Sequence, residues 1–198
     1  MIKFVYPDGA TPLDPNETDG LIPSDISIQS QLNEAEQGNN IEAATWAMGR
    51  KHRDSLSEPF LRKLHHRMFS LVWRWAGHYR KTDKNLGGPW ALIPETIGKL
   101  ISDTQYWIDH QTYPWDELGA RFHYRLVSIH PFPNGNGRHA RLMTDILMIN
   151  FNQKKFSWGQ KGKDENFRSD AETRKFYIRS LREADNLSFS NLILFVRS

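Results

Sequence analysis

The stretch "HPFPNGNGRHAR", His130 to Arg141, decides the reading. It sets a histidine and two prolines before a Gly-Asn-Gly turn, and follows the turn with two arginines three residues apart. On its N-terminal side Leu118, Phe122, Leu126 and Ile129 recur at helical spacing, and on its C-terminal side "RLMTDILMINF" is apolar on most sides. The quoted stretch is therefore a loop between two helices, the second of them central and buried. The glycines fall where that second helix begins. Backbone N–H groups at a helix start have no intrahelical partner and the helix dipole adds partial positive charge, so Gly135, Asn136 and Gly137 form a candidate phosphate nest. Arg138 and Arg141 share a face of the helix, where two guanidinium forks suit successive phosphates of a nucleotide. His130, at the end of the preceding helix, is set to take a proton from an incoming hydroxyl. Pro131 and Pro133 stiffen the connection and Phe132 anchors it.

Working outward, the spacing predicts further helices. Leu32, Ala35, Ile41, Ala44 and Met48 leave a broken apolar stripe from Gln29 to about Arg53, and Gly38 interrupts it. Ser57-Glu58-Pro59 is a helix start, with Leu61, Leu64, Met68, Leu71 and Trp75 following and Gly77 ending it. Helical spacing resumes from Pro94 (Ile97, Leu100, Ile101, Thr104, Trp107, Ile108), and two last helices are expected near Asp170 to Ala184 and Ser188 to Val196. Between His78 and Pro94 the Gly87-Gly88-Pro89 turn separates two short stretches, read as a β-hairpin flap. The first two dozen residues are crowded with turn formers. The expected organisation is an extended arm over 1–24 and a single domain over 25–198, all-α apart from the hairpin.

Composition narrows the function classes. The chain has 198 residues, room for one domain and one site. Lys and Arg number 26 against 23 Asp and Glu, a formal charge of +3, which disfavours a dedicated nucleic-acid binder. The absence of cysteine removes disulfides and thiolate chemistry and fits a reducing cytosol. No apolar run is long enough to span a bilayer and Met1 to Pro7 does not resemble a signal peptide, so a cytoplasmic protein is expected.

Several residues invite a sharper reading and are assigned a plainer one. Gly135, Gly137 and Ala140 satisfy a dinucleotide fingerprint, but the helical spacing before them denies it the strand it requires. His65 and His66 are adjacent and point different ways on a helix, so they are read as surface or satisfied histidines. His123 is assigned a structural hydrogen bond, Asp145 a packing role, and Trp73, Trp75 and Trp90 core and flap packing. Arg80 and Lys84 are read as solvated surface charge.

The motif from His130 to Arg141 resembles the signature of the Fic/Doc family, His-Pro-Phe followed two residues later by Gly-Asn-Gly-Arg and then a second arginine. Roughly residues 25 to 195 are compatible with it. More narrowly, "TPLDPNETDGLIP" and "LNEAEQGNNIEAATWA" are similar to the branch called mobile mystery protein B. The resemblance implies a Fic fold and a protein adenylyltransferase that moves AMP from ATP to a Ser, Thr or Tyr hydroxyl of a target protein, in a toxin-like setting. Transfer of another nucleotide or of a phosphate, or nucleotide binding with little catalysis, are the alternatives. His130, Asn136 and Arg138 are then the catalytic set. Gly135, Asn136, Gly137, Arg138 and Arg141 bind the nucleotide, Arg138 at the beta and Arg141 at the gamma phosphate. The target docks by strand addition on the flap, Thr82 to Pro94. One departure concerns Mg²⁺: the position after Pro133 is usually acidic in active members, and Asn134 is a weaker ligand for a hard cation. Many relatives are restrained by a helix with Ser or Thr, three residues and Glu, whose carboxylate pairs with the arginine matching Arg141. Ser30 and Glu34 have that spacing, but Ala35 follows where Gly or Asn is usual, and the resemblance favours a separate antitoxin-like regulator.

Overall fold

The structure, a computed structural model, describes residues 12–160 and 170–198. It contains eight α-helices among them: α1 (Pro15–Thr18), α2 (Gln29–Met48), α3 (Glu58–Phe69), α4 (Ile93–Asp109), α5 (Trp115–Ile129), α6 (Asn136–Asn150), α7 (Asp170–Ala184) and α8 (Ser190–Arg197). The expected all-helical architecture is present. α6 is the central element, burying Ala140, Leu142, Met143, Ile146, Leu147 and Met148 along with Thr144 and Asp145. It joins the main core, built from α2 to α5, to a smaller cluster in which Met148 and Ala120 meet Phe156, Tyr177 and the buried face of α8.

Helix starts and stops follow local chemistry. The Ser57 hydroxyl accepts from the Phe60 N–H at 3.3 Å and Pro59 lies in the first turn of α3, as the sequence pattern predicts. The helix ends at Phe69, eight residues before the expected stop. From Ser70 the chain turns, Gly77 adopts φ +80° within that irregular segment, and Leu71 is exposed. In α2 the buried face is Leu32, Glu36, Asn39, Ala43 and Ala47, one step round from the apolar stripe, and Ile41 faces solvent. Two polar residues on the inner face explain the broken pattern. Asn39 donates to Arg67 O at 2.8 Å and accepts from Leu71 N at 3.1 Å, so it satisfies the turn after α3.

The hairpin expected between Thr82 and Pro94 is replaced by bends and a 3-10 turn at Trp90–Leu92 that runs into α4; no strand is present among the described residues. The reason is Arg80, whose guanidinium donates to Thr82 O at 2.7 Å and Gly88 O at 2.6 Å. Carbonyls that a two-stranded ladder would use are held by a side chain instead. Trp90 is half exposed, whereas Trp73 is buried and stacked on Trp75 at 4.9 Å.

Residues 1–11 of the expected arm lie outside the described residues. The remainder is not wholly extended, because Asp14 and Pro15 start the single turn α1, with Glu17 Oε2 accepting from Asp14 N at 2.7 Å. Leu21 then forms an isolated antiparallel bridge with Trp73. Among the described residues no helix is long and apolar enough to cross a membrane.

Candidate active site

The loop from His130 to Gly135 is held from beneath. Phe132 is fully buried and stacks on His65, ring centroids 3.6 Å apart. His65 in turn bridges two segments: its Nδ1 accepts from Gly77 N at 2.9 Å and its Nε2 lies 3.1 Å from Asn134 O, an arrangement that requires the proton on Nε2. Burial drives the His65 imidazole well below its ordinary range, reinforced by His139. The satisfied-histidine reading of His65 is thus met in the interior rather than on the surface.

Asn136 closes the loop. Its side-chain oxygen accepts from Phe132 N at 2.9 Å and its amide donates to Phe132 O at 2.8 Å, with the residue buried. The side chain is spent on the loop's own backbone, which leaves the N–H groups of Asn136, Gly137 and Arg138 as the outward donors of a helix start. Gly135 caps α6 at φ +77°, and a Cβ there would come within 2.3 Å of the Phe69 ring. A Cβ on Gly137 would meet nothing within 4 Å. One glycine is demanded by packing; the other stands beside open space at the helix start.

His130 ends α5 in the left-handed region at φ 52°, rare for a residue with a Cβ. The residue is buried and neither ring nitrogen makes a well-formed hydrogen bond. Burial, then the charges of Arg80 and Lys84, lower its pKa to about 4, against a weaker upward pull from the Val127 backbone. At neutral pH the imidazole is therefore uncharged, with an acceptor nitrogen not committed elsewhere.

The two arginines of α6 rest on different neighbours. Arg138 Nη1 pairs with Glu36 Oε2 at 2.7 Å, its guanidinium 4.9 Å over the Phe69 ring. Arg141 lies 4.7 Å over the Tyr177 ring and its Nε is buried without a hydrogen-bond partner. Tyr177 OH also sits 2.9 Å from His123 Nε2, the structural hydrogen bond expected for that histidine. Asn134 Oδ1 accepts from Gly135 N at 2.6 Å, and no group of three or more acidic or histidine side chains that could hold a cation exists among the described residues. The residues of the loop do not fit a protein-built Mg²⁺ site.

Three participants escape sequence reasoning. Glu34 is exposed, and the carboxylate that reaches an arginine of α6, Arg138, is Glu36, which also accepts from Trp73 Nε1 at 2.7 Å. Its place on the face shared with Leu32 and Asn39 is the available signal. Arg80 is buried and the side chain of Lys84 is only 3% exposed, so neither is a solvated surface charge. Lys84 Nζ pairs with Glu17 Oε2 at 2.5 Å and Asp14 Oδ2 at 2.8 Å.

A helix-loop-helix that presents a neutral histidine beside a glycine-rich helix start and two arginines brings together, on a helical domain, groups chemically suited to an anionic ligand. Residues 55–148 match the model of the Fic/DOC family, so the chain carries a Fic/DOC family domain. Over 77 residues it is 38% identical to the protein adenylyltransferase fic-1 of Caenorhabditis briggsae, a stretch that covers 37% of this chain and 15% of that protein. The corresponding protein adenylyltransferase Fic of Nematostella vectensis is 35% identical over 77 residues, 37% of this chain and 18% of that one. The chain thus spans under a fifth of these relatives' length. In structure it is similar to the N-terminal Fic domain of a putative cell filamentation protein from Bartonella quintana, with a TM-score of 0.70, 18% identity and 90% of each chain covered. It is also similar to BepC of Bartonella tribocorum with bound AMPPNP, with a TM-score of 0.67, 15% identity, and 92% and 96% covered.

Proposed function

We propose that this protein is a protein adenylyltransferase that transfers AMP from ATP to a Ser, Thr or Tyr hydroxyl of a target protein. The observation that carries the reading is the uncharged His130, both ring nitrogens without a well-formed hydrogen bond, one short loop from the N–H donors of α6. In this reading His130 takes the hydroxyl proton, the hydroxyl oxygen attacks the alpha phosphorus, and pyrophosphate leaves with the bond to the alpha phosphate broken. The N–H groups of Asn136 and Gly137 and the Arg138 guanidinium bear the alpha and beta phosphates, and Arg141 the gamma phosphate. Fixed donors that meet the charge as it grows provide most of the acceleration.

With Asn134 Oδ1 turned to the Gly135 backbone, the loop offers no carboxylate to a Mg²⁺, and the nucleotide's own phosphates would have to supply the charged ligands for one. The target docks against the segment from Thr82 to Pro94, and the exposed Leu86, Trp90 and Leu92 there supply apolar contact. The domain over 25–198 acts as one unit in the cytoplasm. Restraint by a separate antitoxin-like protein, and the narrower likeness to the mobile mystery protein B branch, rest on the sequence resemblance alone.

The test incubates the protein with a cell lysate, divalent cation and ATP labelled at the alpha or the gamma phosphate, beside His130→Ala. Label on protein from the alpha position alone, lost in the variant, is the expected outcome. Label from the gamma position makes the protein a kinase. ATP binding without label from either makes it a nucleotide-binding protein, the reading the missing loop carboxylate favours.

A further inference from the structure

We propose that Arg80 is a positioning residue for His130: its guanidinium ties the left-handed turn at the end of α5 to the segment 82–88 and thereby holds the imidazole in its reactive place. Arg80 is 1% exposed, and every strong contact it makes is to backbone. Nε donates to His130 O at 2.7 Å, Nη1 to Thr82 O at 2.7 Å and Nη2 to Gly88 O at 2.6 Å, while its own N–H donates to Pro131 O at 2.9 Å. The nearest carboxylate, Asp83, lies at 3.7 Å with its side chain 68% exposed. A buried cation without a buried counter-ion is expensive, and a neutral side chain would fill the same space at lower cost. What the guanidinium supplies instead is a rigid fork of donors that reaches three carbonyls at once, two of them in the segment over His130.

The carbonyl taken by Nε belongs to the residue that needs fixing. His130 sits at φ 52°, a conformation that persists only where its surroundings over-determine it. The opposite wall is fitted to the same clasp. A Cβ on Gly87, itself at φ +92°, would come 2.7 Å from Arg80 Nη2, 2.9 Å from His130 Cβ and 2.9 Å from Ile129 O. Glycine there lets the segment lie directly on the histidine. The charged groups that face His130 are Arg80 and Lys84, the latter paired with Asp14, which precedes α1, and with Glu17 in α1, and both cations keep the imidazole unprotonated.

The inference rests on the proposed role of His130 as the base, so the experiment reads the two separately. Arg80→Lys and Arg80→Gln, with Gly87→Ala as a variant that loosens the clasp but retains the cation, are first checked for a native melting transition. In the alpha-label assay kcat should fall tenfold or more, with KM for ATP changed by less than twofold and the Lys variant little better than Gln, because an ammonium cannot span three carbonyls. The acidic limb of the pH profile should move upward in Arg80→Gln, as should the His130 ring titration followed by NMR, which needs no activity. Folded variants with wild-type kcat, pH profile and His130 titration overturn the proposal. Absence of label in the wild type overturns the transferase reading instead, and the NMR titration still decides the role of Arg80.

Discussion

Acidification should unfold this domain steeply, and the slope can be worked from four histidines. His65, His123, His130 and His139 are all buried in the folded state, the last three with pKa values of about 3, 4 and 4 and His65 well below the ordinary range. In the unfolded chain each titrates near about 6.5. Folded values below unfolded ones mean that unfolding takes up protons, so this stability is complete above the unfolded pKa and is lost as the pH falls toward the folded values. Asp145 acts in the opposite sense. Burial raises its carboxyl to about 6 despite hydrogen bonds from Trp158 and Phe156, so between the ordinary carboxylate value and 6 the folded state holds a proton that the unfolded chain releases. Near pH 5 the net uptake is about three protons, a slope of roughly 4 kcal/mol per pH unit. A domain of ordinary stability, ~5–15 kcal/mol, is largely exhausted within two units below pH 6.5. Urea unfolding followed by fluorescence of the seven tryptophans at pH 7.5, 6.5, 5.5 and 5 should show a plateau and then a steep decline. Asp145→Asn, which keeps an acceptor for the Trp158 indole, should steepen the decline by about one proton, or roughly 1.4 kcal/mol per pH unit. Stability that stays level from pH 7 to 5, or rises, would refute the reasoning.

The two loop glycines should separate folding from binding. Gly135→Ala should lower stability by about 2 kcal/mol or more, because it adds left-handed strain and a clash with the Phe69 ring. Gly137→Ala should melt like the wild type yet bind ATP at least tenfold more weakly, since its methyl enters the space an anion would occupy; calorimetry of both variants checks the contrast. Glu36→Gln retains an acceptor for Trp73 while weakening the hold on Arg138, whose side chain is 41% exposed, so ATP affinity should rise by no more than about fivefold. An unchanged dissociation constant would show that Glu36 does not restrain that arginine.

What could be seen in the sequence, and what could not, divides along a physical line. α5 and α6 announce themselves because Leu118, Phe122, Leu126 and Ile129, and the apolar run after Arg141, bury hydrocarbon, and hydrocarbon burial leaves a period. The loop is legible for a similar reason: glycine and proline report backbone geometry directly. Charges report nothing of the kind, because a guanidinium is ordinarily solvated and its fate depends on what the fold brings to it. Arg80 meets His130 across fifty residues, and Glu36 meets Arg138 across a still longer separation, so neither contact has a local signature. The same blindness turned a segment with two short stretches and a glycine turn into a hairpin. Strand pairing requires free carbonyls, and the side chain that takes them stands two residues before the segment it reshapes. The missed residues share one property: each is a charged side chain withdrawn from solvent, Arg80 against backbone carbonyls, Glu36 against Arg138 and the Trp73 indole, and Lys84 against Asp14 and Glu17. Desolvating such groups weakens a fold unless geometry compensates. Their concentration around His130 and α6, rather than across the core, is itself an argument that this end of the bundle is shaped for chemistry and the remainder for stability.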